Sequence, residues 1–180
     1  MPRLILLNKP HGVLTQFTSE LGHATLKDFV PVPNVYPAGR LDADSEGLVL
    51  LTDDGALQAR IADPRHKRAK RYWVQVEGVP ESADLVHLTN GLDLGDFVTA
   101  KCECKIVDEP ASLWSRTPPI RVRANIPTTW LEIILREGKN RQIRRMTAKI
   151  GHPCLRLIRY SIGQWALQDM QSGHWREEKI

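Results

Sequence analysis

Leu48-Val49-Leu50-Leu51 is an unbroken apolar run set between Gly47 and Thr52. An apolar run bounded by turn residues predicts a strand covered on both faces. Leu4 to Leu7 predicts another, starting close to the first residue. Further strands are expected at Tyr72 to Glu77, where β-branched and aromatic residues lead to Gly78, at Phe97 to Val107 and at Thr128 to Arg136. Short helices are expected at Thr25 to Val30, ended by Pro31 and Pro33, and at Gly55 to Ala62, opened by Asp53-Asp54 and closed before Pro64. Glu81 to Asn90 predicts a third, with Leu85 and Leu88 inward and Gly91 as its stop signal. Asp108 to Pro127 is rich in Pro and Arg and reads as a long surface loop. Strands and helices mixed without a regular βαβ rhythm argue for an α+β fold.

The segment Glu137 to Gly151 carries a helical pattern of its own. Ile143, Met146, Thr147 and Ile150 recur at i, i+3, i+4 and i+7 and form a core stripe. Arg141, Arg145 and Lys149, spaced by four, fall on the solvent side. Arg144 sits beside the stripe, where a charge either snorkels to water or takes a partner. The carboxylate expected to pair with it is Asp42. That residue lies in Gly39-Arg40-Leu41-Asp42-Ala43-Asp44-Ser45, directly ahead of the apolar run. Two readings of this segment stand side by side. Asp42, Asp44 and Ser45 are common turn formers, and a carboxylate on a loop leading into a rigid strand is also a frequent catalytic arrangement.

Charge distribution favours an anionic partner. The net charge of the 180 residues is only +4, with 26% charged residues. Yet Arg136 to Arg159 holds eight basic residues against Glu137 alone, and Arg60 to Arg71 holds six against Asp63 alone. The rest of the chain is net acidic, and such segregation points to nucleic acid. With 42% hydrophobic residues and no stretch long enough to span a bilayer, an ordinary globular protein is expected. Three cysteines without Cys-x-x-Cys spacing indicate neither a disulfide framework nor a zinc site, and fit a reducing cytoplasm. The six histidines are scattered and no cluster of metal-binding carboxylates is apparent, which argues against a metal-dependent RNA hydrolase.

Three ordered blocks resemble the pseudouridine synthases that modify ribosomal RNA at single uridines. The first is Leu7-Asn8-Lys9-Pro10-His11-Gly12. The second is Gly39-Arg40-Leu41-Asp42 with Gly47-Leu48 and Thr52-Asp53-Asp54-Gly55. The third is Glu137-Gly138 with Arg141-Gln142-Ile143-Arg144-Arg145-Met146, then Gly151-His152-Pro153 and Leu157-Ile158-Arg159. Lys70-Arg71-Tyr72 is similar to the family's Lys-x-Tyr. Ser45 stands where most relatives carry Thr, and either hydroxyl serves a turn.

The resemblance implies an α+β fold with a mixed, mostly antiparallel sheet in two abutting subdomains, forming one catalytic domain over residues 1–180. The small N-terminal RNA-binding domain of the S4 type found in many relatives is not expected. The implied reaction converts a specific uridine of 23S ribosomal RNA to pseudouridine and needs no cofactor and no metal. The implied catalytic residues are Asp42, Tyr72 and Arg144, with Tyr72 stacking on the target base. Arg40, Lys9, Lys67, Arg68, Lys70, Lys139, Arg141 and Arg145 are the expected RNA-binding residues. The expected partner is a single uridine in a stem-loop of 23S ribosomal RNA, met by a monomer in the cytoplasm. Small-subunit or transfer RNA as substrate, and a non-catalytic RNA-binding role, are the alternatives.

Overall fold

The computed structural model describes residues 1–180. The elements run β1 Leu4–Lys9, β2 Val13–Leu14, β3 Ala24–Thr25, β4 Tyr36–Pro37, β5 Glu46–Thr52, α1 Gly55–Ala62, β6 Lys70–Glu77 and α2 Ser82–Asn90. They continue with β7 Glu103–Val107, β8 Thr128–Leu135, α3 Gln142–Lys149, β9 Cys154–Ile162, β10 Trp165–Ala166 and β11 Trp175–Glu178. One nine-stranded sheet has the order β11-β1-β5-β9-β6-β8-β7, with β4 beside β5 and β10 beside β9. All its pairings are antiparallel except β5 with β9. This is an α+β architecture with a mixed, mostly antiparallel sheet. No helix is long and apolar enough to cross a membrane.

Sidedness explains the core. β5 is buried along its whole length, as the unbroken apolar run predicts. Its Leu48 and Leu50 meet Leu57 and Ile61 of α1, while Val49 and Leu51 meet Leu26, Val30, Val35 and Leu41 on the other face. β6 alternates, with Tyr72, Val74 and Val76 facing Leu88 of α2 and Ile143 and Met146 of α3. Helix α1 starts where Asp54 Oδ1 accepts from the amides of Ala56 and Leu57 at 2.9 and 3.3 Å.

Three expectations change. Thr25 to Val30 forms only a 3-10 turn at Leu26–Asp28, closed by a capping box between Thr25 and Asp28, because the prolines at 31 and 33 leave no room for a second helical turn. The strand expected from Phe97 begins at Glu103; the preceding residues fold into a tight excursion in which Asp93 bridges Val98 and Gly95 takes φ 98°. β9 carried no clear strand signal, since Arg156 and Arg159 interrupt its apolar pattern. Both guanidinium groups are buried and paired inside the protein.

The junction of β5 and β9 joins the two halves of the sheet. Gly47 sits opposite Arg159 with φ 112°, and a Cβ there would fall 2.3 Å from the Arg159 carbonyl oxygen. Only glycine allows this approach. Beside it, Arg156 donates Nε and Nη2 to Glu46 at 2.8 and 2.9 Å in an ion pair almost wholly out of solvent. Trp114 Nε1 also donates to Glu46 at 2.8 Å, and Arg156 Nη2 reaches the Trp114 carbonyl at 2.9 Å. The Asp108–Pro127 segment, expected as a surface loop, is therefore pinned to the core at Trp114.

Lys9 is the main correction among the expected RNA contacts. It ends β1 with no exposed surface, and its ammonium donates to the carbonyls of Pro10, Val13 and Ala43 at 2.9, 2.8 and 3.4 Å. Burial pushes it down to about 8, against partial support from Glu46 and Asp44. It holds the chain in place and does not face RNA.

Arg156→Met will cost about 3–5 kcal/mol, because Glu46 stays buried without its partner. Glu46→Leu combined with Arg156→Met will be less damaging than the single change, as urea denaturation of both variants will show. Lys9 has a pH signature. Its folded value of about 8 lies below the ordinary 10.5, so between those values the unfolded chain binds more protons and stability rises with pH. The burial penalty is fully present below pH 8. Relative to Lys9→Met, the protein will gain about 2 kcal/mol between pH 8 and 10 in denaturation midpoints converted to free energy.

Candidate active site

The loop between β4 and β5 is fixed through its backbone. Gly39, at φ 94°, turns the chain, and Leu41 is buried as an anchor. From there five consecutive carbonyls each receive a donor. Arg159 Nη1 reaches Arg40 O at 3.3 Å, Thr15 Oγ1 reaches Leu41 O at 2.6 Å, and the Ser45 amide reaches Asp42 O at 3.0 Å. The Gly12 amide donates to Ala43 O at 2.7 Å, joined by Lys9, and Arg144 Nη2 donates to Asp44 O at 2.8 Å. With its main chain held on all sides, the loop presents the exposed side chains of Arg40 and Asp42. Asp42 is thus a carboxylate on a rigid mount.

That mount forms one wall of a cleft of about 460 Å³. Arg40, Asp42, Lys67, Arg68, Lys70, Tyr72, Lys139 and Arg141 all line it, so residues spread over a hundred positions of sequence share one concave surface. Leu135, Ile143, Leu157 and Ile162 give it apolar surface. Tyr72 projects from β6 with 9% exposure. Lys70 is half-buried, and burial beside the Arg159 charge lowers its ammonium from the ordinary lysine value. Arg68 lies over the Trp165 ring at 5.5 Å, and Lys139 over Phe97 at 5.8 Å.

The partner of Asp42 is not Arg144. Helix α3 begins at Gln142, and Arg141 before it takes the left-handed conformation, φ 51° and ψ 33°. A helical wheel therefore does not extend to Arg141, whose side chain turns back onto the loop instead of out to solvent. Its Nη1 donates to Asp42 Oδ2 at 3.3 Å and to Asp44 Oδ1 at 3.1 Å, while Nη2 donates to Asp44 Oδ2 at 2.8 Å. Arg144 is the half-buried residue the stripe predicts, but it reaches Asp44 O, Ser45 Oγ at 3.3 Å and the Asp44 carboxylate at 3.7 Å. Arg141 beside it holds the Asp44 carboxyl below the usual carboxylate range.

Arg145 also departs from expectation. It pairs with Asp96, donates to Leu94 O at 3.1 Å and lies over Phe97 at 5.5 Å, outside the cleft lining. Arg159, absent from the expected site, lines the cleft and ties Arg40 O and Leu48 O together. Its only sequence signal was its place in the Leu157-Ile158-Arg159 block. Gln142 was missed as well; its amide holds Glu137 at 2.9 Å and the Lys139 amide at 3.1 Å, shaping the turn that carries Lys139. No group of three or more His, Cys, Asp or Glu side chains is gathered so as to hold a metal ion.

Comparison with known proteins gives this geometry a family. The model of the RNA pseudouridylate synthase family matches residues 3–149. A ribosomal large subunit pseudouridine synthase E of Vibrio vulnificus is 55% identical over 175 residues, covering 97% of this chain and 74% of its own. The protein of that name from Xanthomonas campestris pv. campestris is 53% identical over 175 residues, covering 96% of this chain and 94% of its own. A solved pseudouridylate synthase superposes with a TM-score of 0.81 at 27% identity, covering 99% of this chain and 71% of its own. A carboxylate on a pinned loop, set in a cationic cleft with apolar surface, is the arrangement this chain contributes as a member of the RNA pseudouridylate synthase family.

Proposed function

We propose that this chain converts one uridine, in a stem-loop of 23S ribosomal RNA, to pseudouridine. The observation that carries the reading is Asp42, mounted on a loop whose carbonyls are all held, at the wall of a cleft whose rim is cationic. The ribosomal RNA substrate rests on the names of the Vibrio and Xanthomonas relatives. The enzyme acts as a monomer in the cytoplasm, a compartment in which its three free, partly buried cysteines stay reduced.

The chemistry sets what each residue does. The N1–C1′ bond of uridine breaks, the base turns, and a C5–C1′ bond forms as C5 loses its proton and N1 gains one. Atoms and electrons balance within the nucleotide. The target base is first extruded from the RNA fold, and Arg40, exposed at the cleft mouth, contacts the strand beside the vacated position. Tyr72 stacks on the flipped base, a contact of about 1–3 kcal/mol. Attack of a carboxylate oxygen at C1′ and abstraction of a sugar proton both need Asp42 ionised with a free oxygen. Its single contact to Arg141, through Oδ2, leaves the other oxygen open. Lys67, Arg68 and Lys139 hold the phosphates.

Asp42→Asn will abolish pseudouridine formation in large-subunit ribosomal RNA while melting temperature and RNA affinity stay near those of the parent. Mapping pseudouridine after incubation with bare ribosomal RNA checks this, and normal turnover in the variant would remove Asp42 from the mechanism. Neutralising Lys67, Arg68 and Lys139 together will weaken RNA binding and flatten the slope of log affinity against log salt by roughly 2–3 units. An unchanged slope would place the RNA elsewhere.

A further inference from the structure

Arg141 is shared unequally between two carboxylates. Asp44 takes two of its N–H groups, at 2.8 and 3.1 Å, in the parallel fork geometry that arginine and carboxylate favour. Asp42 receives one, at 3.3 Å. Asp44 also faces Arg144, whose Nε stands 3.7 Å from its carboxylate and whose Nη2 grips its carbonyl at 2.8 Å. One short acidic side chain therefore ties both arginines at the start of α3 to the loop that bears Asp42. A turn former needs none of these contacts.

We infer that Asp44 is a positioning residue that works through Arg141, holding its guanidinium so that Asp42 keeps one weak contact and one free oxygen. Arg141 has no other acidic partner within reach. Released from Asp44, its fork turns to Asp42 and occupies both of that residue's oxygens. The result is a tightly paired carboxylate in which each oxygen accepts an arginine hydrogen bond and is a weaker nucleophile and base. Asp44 thus competes for the arginine that would otherwise quench its neighbour. Arg141 precedes α3 at φ 51°, off the helical path, and its side chain lies against the loop.

This inference rests on the function proposed above, and its test separates the two. Asp44→Asn is the discriminating change, because asparagine makes the same turn but loses the charge that holds Arg141. Tritium release from large-subunit ribosomal RNA labelled at uridine C5 follows the reaction, since C5 gives up its hydrogen. In single-turnover assays Asp44→Asn will lower the rate constant about tenfold or more, with RNA affinity unchanged or tighter and melting temperature near that of the parent. Asp44→Glu, which keeps a carboxylate, will recover part of the rate. In the crystal structure of Asp44→Asn, Arg141 will engage both oxygens of Asp42. Arg141 left in its original place, a parental rate in Asp44→Asn, or a loss of rate that only follows loss of fold or of RNA affinity would overturn the role. If the parent releases no tritium, or Asp42→Asn releases it as fast as the parent, the proposed function fails; the position of Arg141 in the Asp44→Asn crystal still decides the arrangement.

Discussion

Everything in this protein hangs on the place where β5 and β9 lie side by side in parallel. Gly47 meets the backbone of Arg159 so closely that no other residue fits, and the adjacent Glu46–Arg156 pair is sealed by Trp114. A buried ion pair adds little net stability against an apolar alternative, but either partner alone is strongly unfavourable. The pair therefore enforces registry. Strands separated by more than a hundred residues are locked so that the loop ahead of β5 faces the first turn of α3.

From that junction the site follows by short steps. Arg159 leaves β9 and grips the carbonyls of Leu48 and Arg40 on either side of the Asp42 loop. The N-terminal segment closes the loop from the opposite side through Lys9, Gly12 and Thr15. Preorganised charge of this kind needs no rearrangement at the moment of reaction, which is what makes electrostatic stabilisation effective. The basic residues divide accordingly. Lys9, Arg144, Arg156 and Arg159 are inward and hold structure, whereas Arg40, Lys67 and Lys139 are exposed around the cleft.

Much of the fold was legible wherever local pattern and tertiary environment agree. Gly55 to Ala62 has its acidic cap and its proline stop, and forms that helix. The β-branched and aromatic run after Lys70 forms a strand, as does Thr128 onward, and the apolar run after Gly47 is covered on both faces. The core stripe Ile143, Met146 and Thr147 is buried as its spacing requires. Legibility fails where charge is placed against pattern. β9 hides two arginines, and Arg141 leaves the helical path just before the helix begins.

The amino-acid sequence by itself determined the family and where the charged residues fall along the chain. Ordered blocks around Lys9, Asp42, Tyr72 and Arg144, with two basic clusters, are properties of the chain read in one dimension. Which charges meet is a different kind of fact. Arg141 and Arg144 differ by three positions, and a wheel assigns them to solvent and to the flank of the core stripe; a single left-handed residue reverses their access to Asp42. Lys9 resembles a ligand for phosphate until the sheet closes over it and three backbone carbonyls accept its hydrogen bonds. Pairing of ions depends on distances of a few ångströms between segments a hundred residues apart, and only the packed fold sets those distances.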